Sequence, residues 1–241
     1  VPPARGLFVK ELEEALLDGR AHLAVHSAKD LPADLPEGLA VRAVPPRADP
    51  RDALVGPPGG LAGLTEGARV ATGSPRRRAQ ILGARPDVRP VDIRGNVGTR
   101  LEKLANGEAD ALVLAMAGLD RLGLEPPGLA PLGPEVCVSA PGQGALAVEA
   151  RLDRDDLAPA LAALDDPVSH ACLRAERAAL RALGGGCLAP VGALCVPEDG
   201  DLALWLAVAP SEDGPVRRAR LRGGGDDPEA LGARAAEAVS G

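Results

Sequence analysis

Apolar residues in this chain come in short runs broken by polar turns, and the spacing inside each run predicts the element it forms. Leu7–Asp18 repeats apolar positions at helical intervals, with Phe8, Leu12, Ala15 and Leu16 on one face, and Gly19 stands just past its end. Ala21–Ser27 is a continuous run of strand length, followed by the turn Asp30-Leu31-Pro32, and Leu39–Val44 is a second strand. The proline-rich stretch Pro45–Asp52 predicts a crossing between domains. From there the pattern alternates. Strands are predicted at Arg69–Thr72, Val88–Ile93 and Asp110–Ala115, with helices between them at Pro75–Leu82 (ending at Gly83) and Thr99–Ala105 (ending near Gly107). Alternation at this spacing implies βα units and a mostly parallel, doubly wound sheet, so the fold class is α/β. Gly142–Glu149 supplies one more strand after a Pro-Gly turn.

The last third changes character. Pro167–Leu183 reads as a long helix with Val168, Cys172, Ala175 or Ala179 and Leu183 on one side, stopped by Gly184–Gly186. Three β candidates follow near Leu188–Val196, Leu202–Ala209 and Val216–Arg222, then a terminal helix at Pro228–Val239. Helix, three strands and helix make a separate small α+β domain.

Composition narrows the function. Only 1% of the 241 residues are aromatic while 46% are hydrophobic, so the core is built from Ala, Val and Leu. There is almost nothing on which bases could stack, and the net charge of −7 opposes a polyanion bound over the whole surface. Nucleic acid is therefore not an expected partner. No apolar run approaches the ~20 residues needed to span a bilayer, and the first residues carry no secretory h-region. Cys137, Cys172, Cys187 and Cys195 form no C-x-x-C pair and have no histidine at ligand spacing. Neither a disulfide framework nor a metal site is expected, and a reducing, cytoplasmic setting fits.

One segment inverts the charge of the rest. Between Arg76 and Arg100 lie seven arginines (76, 77, 78, 85, 89, 94 and 100), opposed only by Asp87 and Asp92. A solvated basic face is the plain reading. Two details point past it. Ser74-Pro75-Arg76-Arg77 has an N-cap serine, a proline at the first helical position, and two arginines against the positive end of the helix dipole. That arrangement costs stability unless an anion answers it. Arg94-Gly-Asn-Val-Gly-Thr-Arg100 places two more arginines directly after a strand, where ligands of open α/β sheets bind. Arginine forks suit carboxylates, so a small polycarboxylate fits best.

Two further motifs stand beside this one. His26-Ser-Ala-Lys-Asp30 closes a strand, and its Lys-Asp pair is either a turn cap or surface pair, or a catalytic couple. An aspartate held among cations stays ionised and can meet positive charge developing on a substrate. Gly184-Gly-Gly-Cys187 is either a helix stop with a small apolar cysteine, or a thiol on a loop with room for a large group on sulfur. The other three cysteines lie in periodic apolar segments and read as packing.

Seven segments in order resemble the porphobilinogen deaminase family along nearly the whole chain. They are Gly6–Glu13, His26–Asp30, Asp49-Pro-Arg-Asp52, Arg94–Arg100, Ala117–Gly123, Gly142-Gln-Gly-Ala145 and Gly185-Gly-Cys187. The resemblance implies two α/β domains of the periplasmic-binding-protein type and a smaller α+β domain carrying the cysteine. Their expected extents are residues 1–46 with 143–163, 50–139, and 166–241. It implies a dipyrromethane cofactor in thioether linkage to Cys187, and Asp30 as the catalytic aspartate that assists loss of ammonia from porphobilinogen. The azafulvene so formed is attacked by the free α-carbon of the growing chain, and four additions precede hydrolytic release of hydroxymethylbilane for tetrapyrrole synthesis. Carboxylate-binding positions carried over are Arg76, Arg77, Arg94, Arg100 and Arg121, helped by Ser27, Lys29, Thr72 and Ser74. Phe8 falls near the cofactor, and a monomer is expected. The family's opening strand and helix, with an Arg-x-Ser motif, have no counterpart before Gly6, so the chain is expected to lack that segment. A non-catalytic two-lobed anion- or solute-binding module is the alternative, though it leaves Cys187 and the third domain without a use.

Overall fold

Residues that alternate sides along the central strands decide where the helices lie. The computed structural model describes residues 5–184 and 190–240. Ala111, Leu112, Val113 and Leu114 of β6 (Ala111–Ala115) are all buried, so both faces of their sheet need cover. Ala111 and Val113 join Leu54 and Val70 against Ile81 of α2 (Pro75–Ala84). Leu112 and Leu114 join Val55 and Ala71 against Leu101 and Leu104 of α3 (Val97–Ala105). Helices on the two faces make the sheet doubly wound, as expected.

The strand directions need correction. The sheet has five strands in the order β5-β4-β6-β3-β7, where β3 is Asp52–Val55, β4 Arg69–Ala71, β5 Arg89–Val91 and β7 Leu129–Pro131. β4 runs parallel to β5 and β6, but β3 is antiparallel to both β6 and β7. The sheet is therefore mixed. β3 enters from the proline-rich connector instead of a helical crossover, and so runs the other way. Pro90 and Pro131 both fall on edge strands, where a missing N–H breaks no ladder.

A second sheet holds β1 (Ala24–Ser27), β8 (Leu146–Arg151) and β2 (Leu39–Ala43), with β8 in the middle and antiparallel to both neighbours. Leu161 of α5 (Ala158–Leu164) covers one face at Ala43 and Val148. Helix α1 (Arg5–Leu17) contacts β1, β2 and β8, but not by the expected face. Val9, Glu13 and Leu16 are buried, while Phe8 and Leu12 are 72% and 39% exposed. The rotation has a reason: the sheet presents His26 and Glu149, and Glu13 joins that polar cluster.

The third sheet is the expected meander, β9 (Val191–Glu198), β10 (Asp201–Val208) and β11 (Arg217–Arg222), in the order β11-β10-β9. Helices α6 (Pro167–Ala182) and α7 (Pro228–Ser240) bury Cys172, Ala175, Ala179, Leu231 and Ala235 against Cys195, Leu204 and Leu206. Val168, expected on the apolar side of α6, is 48% exposed. Segments 44–52 and 138–145 cross between the sheets, and α6 grips both. Asp166 caps α6 by accepting from Ser169 N, and Asp165 accepts from Val44 N at 2.7 Å. Among the described residues no helix is long and apolar enough to cross a membrane.

Candidate active site

The carboxyl ends of β1 and β6 meet at a cavity of about 120 Å³. Ser27 lines it from the end of β1 and Lys29 from the turn that follows, with Gly118 and Arg121 from the short helix α4 (Met116–Asp120) and its cap. The loop Gly142–Ala145 closes the third side. This loop works only with glycine. Gly142 has φ +75°, and a Cβ there would sit 2.9 Å from the carbonyl carbon of Ala28. Gly144 has φ +85° and would place a Cβ 2.5 Å from the Ala48 carbonyl oxygen. The loop can therefore lie flush against both the Lys29-Asp30 turn and the connector. Ala28 N donates to the Ala145 carbonyl, and Arg121 Nη2 donates to the Gly144 carbonyl at 2.9 Å.

Beside this cavity is a buried charge network. Asp52, fully buried, accepts from Arg76 Nη1 at 2.6 Å, from Arg77 Nε and Nη2 at 3.0 and 2.7 Å, and from Gln143 Nε2 at 2.9 Å. Arg76 also donates to the Val138 carbonyl and Arg77 to the Val113 carbonyl. Burial alone would raise the Asp52 pKa, but the two guanidiniums overrule it and hold the carboxyl well below the usual range. The thiol of Cys137, buried beside the same carboxylate, is pushed up to about 12, by desolvation first and then by Asp52. The anion that answers the two first-turn arginines is thus internal. Arg76 and Arg77 are 6% and 7% exposed and do not line the cavity, contrary to the open clamp their position suggested.

Lys29 lies within the field of this network. Desolvation, then Arg77, lowers its ammonium pKa, while Asp30 and Asp52 pull the other way. Asp30 stands exposed at the end of the same turn. Thr72 is buried, its Oγ1 accepting from Ser74 N, and Ser74 caps α2 by accepting from Arg77 N at 3.4 Å. Arg94 is exposed after β5, and Arg100 is half-buried with Nε on the Gly95 carbonyl at 2.8 Å. Neither lines the cavity, and Phe8 is also outside it. Cys187 lies outside the described residues.

Two family models cover the chain: the porphobilinogen deaminase dipyrromethane cofactor binding domain at residues 3–159, and the porphobilinogen deaminase C-terminal domain at residues 170–240. The chain belongs to the porphobilinogen deaminase family. It is 51% identical to the porphobilinogen deaminase of Roseiflexus castenholzii over 97% of this chain and 77% of that protein. It is 52% identical to that of Rubrobacter xylanophilus over 96% of this chain and 75% of that protein. Among solved structures it is similar to the periplasmic aliphatic sulphonate binding protein SsuA of Escherichia coli, at 18% identity and a TM-score of 0.40, over 71% of this chain and 56% of that one.

Four residues of this candidate site went unread in the sequence. Asp52 and Gln143 stood inside quoted motifs without a role. Arg47 and Glu176 form a second buried pair at 2.7 Å, beside the first. Glu176 carried a signal. It sits one turn after Cys172 on the apolar stripe of α6, and a charge on a buried stripe is the informative kind of exception.

Proposed function

We propose that this chain joins four porphobilinogen units, with loss of ammonia, onto a dipyrromethane primer carried by Cys187 and releases hydroxymethylbilane. The observation that carries the reading is the meeting of Ser27, Lys29 and Arg121 on one cavity beside the Asp30 turn, in a chain of this family. The donor set fits the acidic groups of cofactor and substrate. A partly dehydrated ammonium and a guanidinium gain more from a carboxylate than they would in open water. When bound, the dipyrromethane supplies the free pyrrole α-carbon to which the first unit is joined.

The chain's own residues do the rest. Lys29, Arg121 and Ser27 hold acetate and propionate oxygens at the cavity, while Arg94 and Arg100 extend the cationic wall after β5. Arg76 and Arg77, fixed on Asp52, supply positive potential from behind instead of direct contact, and Thr72 and Ser74 fix the start of α2. As the C–N bond of porphobilinogen breaks, ammonia leaves with the bonding pair and positive charge spreads over the pyrrole. Asp30, an exposed carboxylate on a turn pinned by Gly142, accepts from the pyrrole N–H and balances that charge. A C–C bond would then form at the substrate's methylene carbon, and the attacking α-carbon would give up its proton.

We read residues 1–46 with 143–163, 50–139 and 166–241 as three domains, each built round one of the three sheets. Cys137, Cys172 and Cys195 are buried and free, which supports a reducing cytoplasm, where we propose that the chain works as a monomer. The test is intact mass with Ehrlich's reagent on purified wild type and Cys187→Ser. A pyrrole adduct and colour in wild type alone are expected. An unmodified wild type that consumes porphobilinogen would overturn the cofactor assignment. One that only binds anions would make the chain a binding module.

A further inference from the structure

A further cavity lies away from the candidate active site. It measures about 760 Å³ and lies between α6 and the segment 33–41 that leads into β2. One face of α6 supplies an imidazole and three guanidiniums to it: His170, Arg174, Arg177 and Arg181. Two are already committed. His170 Nδ1 meets Asp165 at 2.8 Å, and Arg174 lies fork to fork on Glu229 at 2.7 and 2.8 Å. The other two are not. Arg177 is only 8% exposed, yet its hydrogen bond goes to a neutral acceptor, the Ala33 carbonyl, at 3.0 Å. Among the described residues no carboxylate lies within ion-pair distance of Arg177 or Arg181. Glu149 and Asp34 act on Arg177 only at longer range, and Arg181, one turn away, repels it. The remaining walls are Leu35, Val41, Leu173 and Ala171, with the carboxylate of Asp34 among them.

A buried cation without a counterion is costly, and like charges one turn apart add to the cost. Leu and Val beside a paired guanidinium set describe a ligand with an oxyanion at one end and a hydrocarbon body. We infer that the groove between α6 and residues 33–41 is a second ligand site, taking a small carboxylate with an apolar body through Arg177 and Arg181. Its walls come from the β1-β8-β2 sheet and from α6, so an occupant would bridge the sheet that carries Asp30 to the helix that grips the connectors. The inference does not depend on the proposed reaction.

The experiment titrates hexanoate, succinate and inorganic phosphate into the full chain at an ionic strength fixed with sodium chloride, read by calorimetry and by thermal melting. Hexanoate is expected to bind saturably and raise the melting temperature. Arg181→Met, a change at an exposed position, is expected to weaken hexanoate at least tenfold, and Arg177→Met to abolish the melting shift. Arg94→Leu, in the other site, should leave hexanoate binding unchanged. Equal hexanoate affinity in wild type and Arg181→Met would overturn the site, whether or not the Arg177 variant folds. Binding of phosphate but neither carboxylate would overturn the ligand class, and loss of hexanoate binding in Arg94→Leu would place it in the catalytic cleft instead.

Discussion

Arg47 lays Nη1 and Nη2 against Oε1 and Oε2 of Glu176 at 2.7 and 3.1 Å, joining residues 129 positions apart. The same carboxylate accepts from Gly142 N at 2.6 Å and Cys195 N at 2.7 Å. One side chain on α6 thus holds the outgoing connector, the returning loop and β9. Arg47 also donates to the Gln143 carbonyl, so the two crossing segments are tied to each other as well.

Glu176→Gln should therefore destabilise strongly. It strands a buried guanidinium, and breaking such a pair costs ~3–5 kcal/mol. Urea unfolding of the two proteins side by side measures the loss. A difference under about 1 kcal/mol would mean that the remaining bonds carry the junction without the charge.

Asp52 makes stability depend on acid. Its pKa in the fold lies below that of the unfolded chain, so its contribution is fully present above the unfolded value, about pH 4, and is lost as pH falls through the folded value. Asp52→Asn should cost ~3–5 kcal/mol near neutrality and flatten the acid limb of a melting-temperature profile. A variant whose profile runs parallel to wild type down to pH 3 would remove Asp52 from that limb.

Glu13 has the opposite sign. Desolvation, then Glu149, raises its pKa, and neither Glu13 Oε1 nor Glu149 Oε1 has a hydrogen-bond partner. A raised carboxyl favours folding below its unfolded pKa and loses that contribution as pH climbs through the folded value. Glu13→Gln should leave stability near pH 4 almost unchanged and raise it at pH 8, by a few tenths to about 1 kcal/mol. Equal destabilisation at both pH values would show that the ionised form is well accommodated.

Asp30→Asn should fold normally, because its side chain is exposed and the turn is held by Gly142 and the Ala28–Ala145 bond. Turnover should fall by at least a hundredfold, about 2.7 kcal/mol, with little change in KM, since the charge it balances exists mainly in the transition state. Steady-state porphobilinogen consumption decides it. A rise in KM at constant kcat would make Asp30 a binding residue.

The βα alternation from Arg69 to Ala115 was legible because β6, buried on both faces, is an unbroken apolar run, and Gly83 and Gly107 mark the ends of the helices between the strands. β3 was not, since it has four residues and opens on the buried charge of Asp52. Helix α1 was legible as a helix but not in its orientation, because Glu13 faces inward only where His26 and Glu149 await it. The arginine cluster was legible as a charge anomaly. Its resolution was not, because the answering carboxylate lies 24 residues upstream of Arg76 and the pairing is tertiary. For the same reason Ser27, Lys29 and Arg121 could be named singly, while their shared cavity needed the fold.

The middle strand of the sheet that carries Asp30 is also its latest in the chain. Among the described residues β1 and β2 each pair only with β8, which is reached about a hundred residues after β2 ends. On a ribosome moving at roughly 5–20 residues per second, β1 and β2 wait on the order of 5–20 s for the strand that joins them, while the five-stranded sheet can close in the meantime. The Asp30 turn is then a late product of synthesis, set when the loop at Gly142 arrives. Slowing translation between codons 56 and 142 should lengthen the time for which β1 and β2 stay open to chaperones and proteases.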